Sequence, residues 1–343
     1  MGKSKSIGKI IVVSSVIVVV LLVAFGLYLY KSPALRIEQE QSIRIYEHDN
    51  LEKLSEKLIS GYGLKYPWFF KTIAKRMNTE KFMKKGRYHL KPDMNLIDLA
   101  RLFREGKMKT VDLVIRPQMD LIGFSKRCGD KLEADDKDYL NIVKNETYLN
   151  SLGFDTATVY ALILPDKYNL YWHTEADELM QRMKKEYDLF WNGERMQKLQ
   201  RTGLSQIEVS ILASIVSKET NKVDEMPDVA GMYINRLRID MPLQADPTIK
   251  FALNQPELRR ILKGHLSVVS PYNTYTNKGL PPGPICIPGK QAIDAVLSYT
   301  EHNYIFMCAK EDFSGYHNFA ENYEKHLKNA SRYQKALDAR GIH

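Results

Sequence analysis

A glutamate at the end of an apolar helix is the group in this sequence best suited to move a proton. Residues 205–220, SQIEVSILASIVSKET, read as a helix. Ser205 followed three residues later by Glu208 forms a capping-box signature, and Ile207, Ile211, Leu212, Ile215 and Val216 recur at helical spacing. Glu219 stands four residues after Ile215 and three after Val216, so it prolongs the apolar stripe. Burial penalises an ionised carboxylate, and so does the negative end of a helix dipole; both raise its pKa toward the range of a general acid. A frayed last turn would instead let Glu219 reach water, and the helix alone leaves that alternative open.

Two later segments are dense in polar and turn residues, VAGMYINRLRIDMPLQADPTIKFAL at 229–253 and SPYNTYTNKGLPPGPICIPG at 270–289. In the first, Val229, Met232, Tyr233 and Leu237 form a helical stripe with Asn235 and Arg236 at its flank. An extended reading of Leu243 to Ile249 puts Gln244, Asp246 and Thr248 on one side, and a carboxylate with two neutral hydrogen-bonding groups suits a carbohydrate cleft. Asp246 could equally form an Asx-turn before Pro247, and Tyr272 and Asn273 could serve only a turn after Pro271.

SKET at 217–220, YINRLRIDMPLQADPT at 233–248 and SPYNTYTNKGLPPGPI at 270–285 closely resemble the YceG-like family of membrane-anchored endolytic murein transglycosylases. The resemblance extends from about Leu113 to the C-terminus and includes LPDKY at 164–168, where the family tends to have FPDTY. Tyr160-Ala161 departs from a common Glu-Gly pair and Ile287 from a usual Asn. The resemblance implies that Glu219 is the catalytic acid/base and that the bond cut is the β-1,4 link between N-acetylmuramic acid and N-acetylglucosamine. Hydrolytic glycosidases generally need two carboxyl groups. A lytic transglycosylase uses no water, so a single carboxyl can serve as acid and then as base, with no metal or cofactor. Asn235, Gln244, Thr248, Tyr272 and Asn273 would then hold the sugar, and Asp246 would stabilise developing oxocarbenium charge. His317 and His326 also fall in a stretch similar to a family motif, with His317 expected at the cleft border and His326 on a helix surface.

These groups need a scaffold and a place. At 343 residues the chain has room for two domains. Ile10 to Tyr30 is an uncharged run of about the 20 residues that a spanning helix needs. A cleaved signal would have a shorter apolar core, and the only small-x-small site, Ala24 to Gly26, lies inside the run. The expectation is an uncleaved single-pass anchor in the cell (inner) membrane. Lys3, Lys5 and Lys9 before the span, against Lys31 and Arg36 after it, point to a cytoplasmic tail over residues 1–9 and an extracytoplasmic remainder.

Residues 31–41 form a polar linker. Ser42 to Tyr46 reads as a strand, two amphipathic helices follow around Leu51 to Ile59 and Trp68 to Met77, and Gly86 to Leu90 returns as a strand. This order resembles a LysM-type module, which implies binding to N-acetylglucosamine polymers, and places a small domain at 42–115 before a catalytic domain at 116–343. Within the latter, residues 119–152 read as helical, Val159 to Leu164 as a strand ended by Pro165, and Thr174 to Gln200 as one long helix. Helices and strands grouped in this way indicate α+β.

Cys128, Cys286 and Cys308 cannot all pair within one chain and lack metal-ligand spacing. A net charge of +9 suits phospholipid or wall polymer, and a membrane anchor disfavours nucleic acid. The anchor implies the bilayer as a partner, and the family resemblance implies peptidoglycan glycan strands and peptidoglycan synthases. Two rivals remain. A non-catalytic wall-binding scaffold would have no use for a buried Glu219. A Ser-Lys peptidase could use Ser6 and Lys9, but these sit at the bilayer edge, and adjacent Ser217 and Lys218 face apart on a helix.

Overall fold

The computed structural model describes residues 2–258 and 260–341; the side chains of residues 2–12, among them Lys3, Lys5, Ser6 and Lys9, lie outside the described residues. The chain divides into two units, Met1–Val111 with Asn169–His173, and Asp112–Tyr168 with Thr174–His343.

The first unit opens with helix α1, Gly2–Lys31, which contains the whole apolar run and starts ahead of it. Its stretch Val13–Lys31 is long and apolar enough to cross a membrane. Strand β1, Gln41–Ile45, follows. Helices α2, Leu51–Tyr62, and α3, Pro67–Arg76, match the two expected helices, and a four-residue helix α4, Thr79–Phe82, is an addition to them. Strand β2, Gly86–Leu90, then pairs antiparallel with β1, from Gln41 opposite Leu90 to Ile45 opposite Gly86. Helix α5, Leu96–Glu105, closes the unit.

Caps set these helix ends. Asn50 accepts from the Lys53 amide before α2, and Asn95 accepts from the Ile97 and Asp98 amides before α5. Gly63 ends α2 in the left-handed region at φ 63°, where a Cβ would lie 2.8 Å from the Arg36 Cβ. Ile43, Ile45, Leu54, Leu58, Phe70 and Phe103 are buried together in one core.

The chain continues through β3, Thr110–Ile115, α6, Leu121–Gly129, α7, Asp136–Ile142, α8, Glu146–Ser151, and α9, Val159–Leu162, to β4, Asp166–Tyr171. After these come α10, Ala176–Phe190, α11, Gly193–Thr202, α12, Gln206–Glu219, α13, Met226–Arg238, α14, Asp246–Ala252, and α15, Lys290–Leu297. Strands β5, Phe306–Ala309, and β6, His317–Ala320, precede the last helix α16, Tyr323–Ala339. Among the described residues the strands form three two-stranded sheets, β1-β2, β3-β4 and β5-β6, so the fold is α+β with helices predominating.

Several expectations need correction. Residues 119–152 form three separate short helices. Val159–Leu162 is a buried turn of helix, not a strand, because a short apolar run buried on all sides has no period that separates the two. The long helix expected over Thr174 to Gln200 breaks at Trp191 and Asn192, where Gly193 takes φ 46°. The stretch Leu243 to Ile249 is not extended: Gln244 sits at φ 48°, and Pro247 fits the first turn of α14, which starts at Asp246. Cys128 and Cys286 are buried and Cys308 half-buried, all three as free thiols.

Candidate active site

The site lies in the second unit and begins with α12. Ser205 Oγ accepts from the Glu208 amide at 3.2 Å while Glu208 Oε2 accepts from the Ser205 amide at 2.7 Å, which completes the capping box. Every residue from Val209 to Ser217 is buried, so α12 is enclosed on all sides and has no single buried stripe. Its small polar residues let neighbours approach closely. Ser214 Oγ accepts from the Ile285 amide at 3.0 Å, and the Ser217 carbonyl accepts from the Gln118 side chain at 2.5 Å. Gln118 and Met119 exchange backbone bonds with Ile287 at 2.8 and 2.9 Å, so two loop segments clasp the end of the helix and fix its rotation. Thr220 then turns extended, which ends the helix at Glu219.

Helix α13 supplies the partner of Glu219. Tyr233 Oη donates to Glu219 Oε1 at 2.7 Å, from a side chain only 1% exposed. Gly231, on the same helix, permits close packing, since a Cβ there would stand 2.3 Å from the Thr300 carbonyl oxygen. Solvent reaches part of the Glu219 residue, but its carboxyl is desolvated. Burial is the largest cause that pushes the Glu219 pKa above the usual carboxylate value, and the charge of Asp246 pushes the same way. The Tyr233 hydrogen bond, His317 and Lys250 act in the opposite sense without prevailing.

Asp246 carries a second carboxylate–phenol contact, from Tyr275 Oη at 2.5 Å, and is itself exposed. Its loop is built by buried groups. Arg236 donates to the Leu243 carbonyl at 2.6 Å and to the Ile305 carbonyl at 2.6 Å, which ties α13 to both flanking loops. Gln244 N donates to the Thr274 carbonyl at 3.0 Å, Ala245 N to Thr274 Oγ1 at 3.0 Å, and the Thr248 and Thr274 hydroxyls meet at 2.9 Å. Asn273, wholly buried, donates to the Leu266 and Val268 carbonyls at 2.9 and 2.8 Å and accepts from the Tyr275 amide at 3.0 Å. Tyr275 is thus held where its hydroxyl meets Asp246.

The structure therefore brings Glu219 and Asp246 into one electrostatic neighbourhood and assigns several expected sugar-binding residues to the frame around them. Thr248 and Asn273 spend their polar atoms on protein partners. Asn235 donates to the His302 and Tyr304 carbonyls at 2.6 and 3.0 Å. Gln244 keeps an exposed side chain on a left-handed backbone. Tyr272 packs on Phe251, with ring centroids 4.7 Å apart. His317 does reach the neighbourhood: Glu225, 4% exposed, accepts from its backbone amide at 2.6 Å and from Nδ1 at 3.0 Å. His326 is no simple surface residue; it stacks on Phe306 at 5.1 Å, and burial lowers its pKa. Tyr233, Tyr275 and Lys250 are site residues that the sequence reading passed over. A tyrosine within an otherwise apolar stripe needs a partner for its hydroxyl when buried, but which group that is depends on the neighbouring helix. No cluster of three metal-ligating side chains occurs among the described residues.

Residues 43–332 match the model of the YceG-like family, well upstream of the start near Leu113 read from motifs. The chain belongs to the YceG-like family. It is 26% identical over 327 residues to a protein of Streptococcus pneumoniae (strain ATCC BAA-255 / R6) named endolytic murein transglycosylase, with 85% of this chain and 58% of that protein covered. A Bacillus subtilis (strain 168) protein of the same name is 24% identical over 271 residues, which is 72% of each chain. The chain thus spans little more than half the length of its pneumococcal relative. The crystal structure of a YceG-like protein from Listeria monocytogenes superimposes with a TM-score of 0.56 at 26% identity, over 85% of this chain and 99% of that one.

Proposed function

We propose that this YceG-like protein is a membrane-anchored endolytic murein transglycosylase that cuts the β-1,4 bond between N-acetylmuramic acid and N-acetylglucosamine. The observation that carries this is Glu219: a carboxyl kept protonated to higher pH by burial and hydrogen-bonded at Oε1 by a phenol. Tyr233 occupies Oε1, which leaves Oε2 to carry the transferable proton. As the glycosidic C1–O4 bond breaks, Oε2 gives its proton to O4 and the N-acetylglucosamine side leaves with a hydroxyl. The oxocarbenium charge that develops lies within the field of Asp246. The Glu219 carboxylate then takes the proton of the muramic 6-hydroxyl while O6 bonds to C1, which closes the 1,6-anhydro ring and regenerates the acid.

The names of the two relatives and the family membership support this reading. The frame formed by Arg236, Asn273 and Thr248 supports it differently, since it holds Asp246 without using water-exposed groups. On the same reading α1 crosses the cell membrane with a cytoplasmic N-terminus, the LysM-like unit binds glycan strands, and wall synthases are partners whose product the enzyme cuts. The detergent-solubilised intact chain, incubated with purified peptidoglycan, should release fragments whose masses carry 1,6-anhydromuramic ends. Reducing ends produced with water would make it a hydrolase and assign Asp246 the role of base. Absence of any cleavage by folded protein would favour the scaffold.

A further inference from the structure

The first unit touches its own membrane helix at a depth that helix fixes. The Phe69 ring packs edge-on against Phe25 of α1, with centroids 5.7 Å apart and planes at 62°. Phe25 lies six residues before Lys31, the end of the 19-residue stretch that can cross a bilayer, which is about 9 Å along a helix. Nineteen residues match the thickness of the hydrocarbon core, about 30 Å, so a ring packed on Phe25 cannot remain outside the acyl region if α1 spans. A second pairing agrees: the Tyr66 side chain, just before α3, lies close enough to Tyr28 of α1 for the two phenols to interact.

Trp68 stands beside Phe69, its ring 4.9 Å away, and is 70% exposed. An indole so exposed at the start of a helix that buries only Phe70 and Ala74 is costly in water and favourable at a headgroup boundary, where Trp and Tyr collect. Tyr28 and Tyr30 occupy that same level on α1. Helix α3 also carries Lys75 and Arg76 and no acidic residue, Lys65 precedes it, and its Lys71 pairs with Glu52 of α2. Such a basic rim suits anionic lipid headgroups.

We propose that the N-terminal end of α3, through Trp68 and Phe69, inserts into the outer interface of the bilayer, so that the first unit is seated on the membrane by two points instead of swinging from one. The inference rests on α1 as a membrane span, and the test separates the two. The intact chain is reconstituted into phosphatidylcholine–phosphatidylglycerol vesicles in which the phosphatidylcholine carries bromine at shallow or at deep acyl positions. Trp172 and Trp191 are 4% and 5% exposed, so lipid quenching of fluorescence should arise from Trp68. Shallow bromines should quench the wild type more than deep ones, and Trp68→Phe should abolish that loss. Trp68 is exposed, and circular dichroism checks that the variant folds. Equal fluorescence with and without bromine, in protein that resists alkaline extraction, would overturn the insertion while keeping the anchor. Protein extracted by alkali would overturn the anchor first. Shielding of Trp68 from aqueous iodide without bromine quenching would assign it to a second protein surface, and would also overturn the proposal.

Discussion

The site holds the same chemical pair twice, and the two copies differ in their access to water. Glu219 receives a phenol hydrogen bond from Tyr233 and Asp246 receives one from Tyr275. Tyr233 is 1% exposed and the Glu219 carboxyl is desolvated, whereas Asp246 is exposed. A phenol donor favours the ionised form, yet the Glu219 pKa rises, because the cost of desolvating a charge exceeds the gain from one neutral donor. On the proposed mechanism, burial, more than hydrogen bonding, separates the proton donor from the charge stabiliser. The Asp246 charge raises the Glu219 pKa, so on the proposed mechanism the stabiliser helps keep the acid protonated.

Removal of the titrating proton is the most severe way to break this contrast. Glu219→Gln keeps the shape and still accepts from Tyr233. General acid catalysis contributes about 10² to 10⁴ in rate. Release of anhydromuropeptides should fall by at least about 100-fold, with an unchanged circular dichroism spectrum. Activity near that of the wild type would show that Glu219 is not the acid.

Removal of the stabiliser comes next. Asp246→Asn should lower kcat by about 10²-fold, the lower end of the loss seen when a preorganised electrostatic partner is deleted, because Asp246 is exposed. With the negative charge gone the Glu219 pKa should fall, and the alkaline limb of the pH profile, where the acid loses its proton, should move to lower pH. Tyr233→Phe should do the reverse. It removes the donor that favours the carboxylate, so the alkaline limb should move to higher pH, with a rate loss of about tenfold, or about 1.4 kcal/mol. If both variants shift the limb in one direction, the two pairs are not distinguished by burial as described.

Glu219 and Asp246 were legible as residue types: a carboxylate that prolongs an apolar helix, and another in a polar segment dense in turns. Their phenol partners were not, because Tyr233 fell on a stripe with Val229 and Met232 that any core helix shows, and its hydroxyl partner belongs to the preceding helix. The frame was misread for a related reason. Asn235, Thr248 and Asn273 look free in the sequence, but their partners are backbone carbonyls and a hydroxyl, far along the chain for Asn235 with residues 302–304 and a few residues back for Asn273 with Leu266 and Val268. A left-handed Gln244 likewise ends any strand there, and nothing in its residue type announces that. In the first unit, where Asn and Gly caps mark the helix ends and alternation marks β1 and β2, the expected strand, helix, helix, strand order matched, with the short α4 added inside it.

The smallest effect concerns stability and turns on sign. The folded Glu219 pKa lies above its unfolded value near 4.5, so the unfolded chain releases this proton at lower pH than the native one. Whatever stability Glu219 contributes is therefore fully present below about pH 4.5 and declines as pH rises through the folded pKa. Gln has no proton to lose and accepts the same Tyr233 hydrogen bond. Glu219→Gln should thus match the wild type in thermal midpoint at acidic pH and exceed it at neutral pH and above, with the gap opening across the window in which native Glu219 ionises. Asp246→Asn should narrow that gap when combined with the wild-type Glu219, because the nearby negative charge is part of what opposes ionisation. Parallel melting curves at every pH would mean that the Glu219 carboxyl is solvated in the folded state, and the distinction between the two carboxylate–phenol pairs would vanish with it.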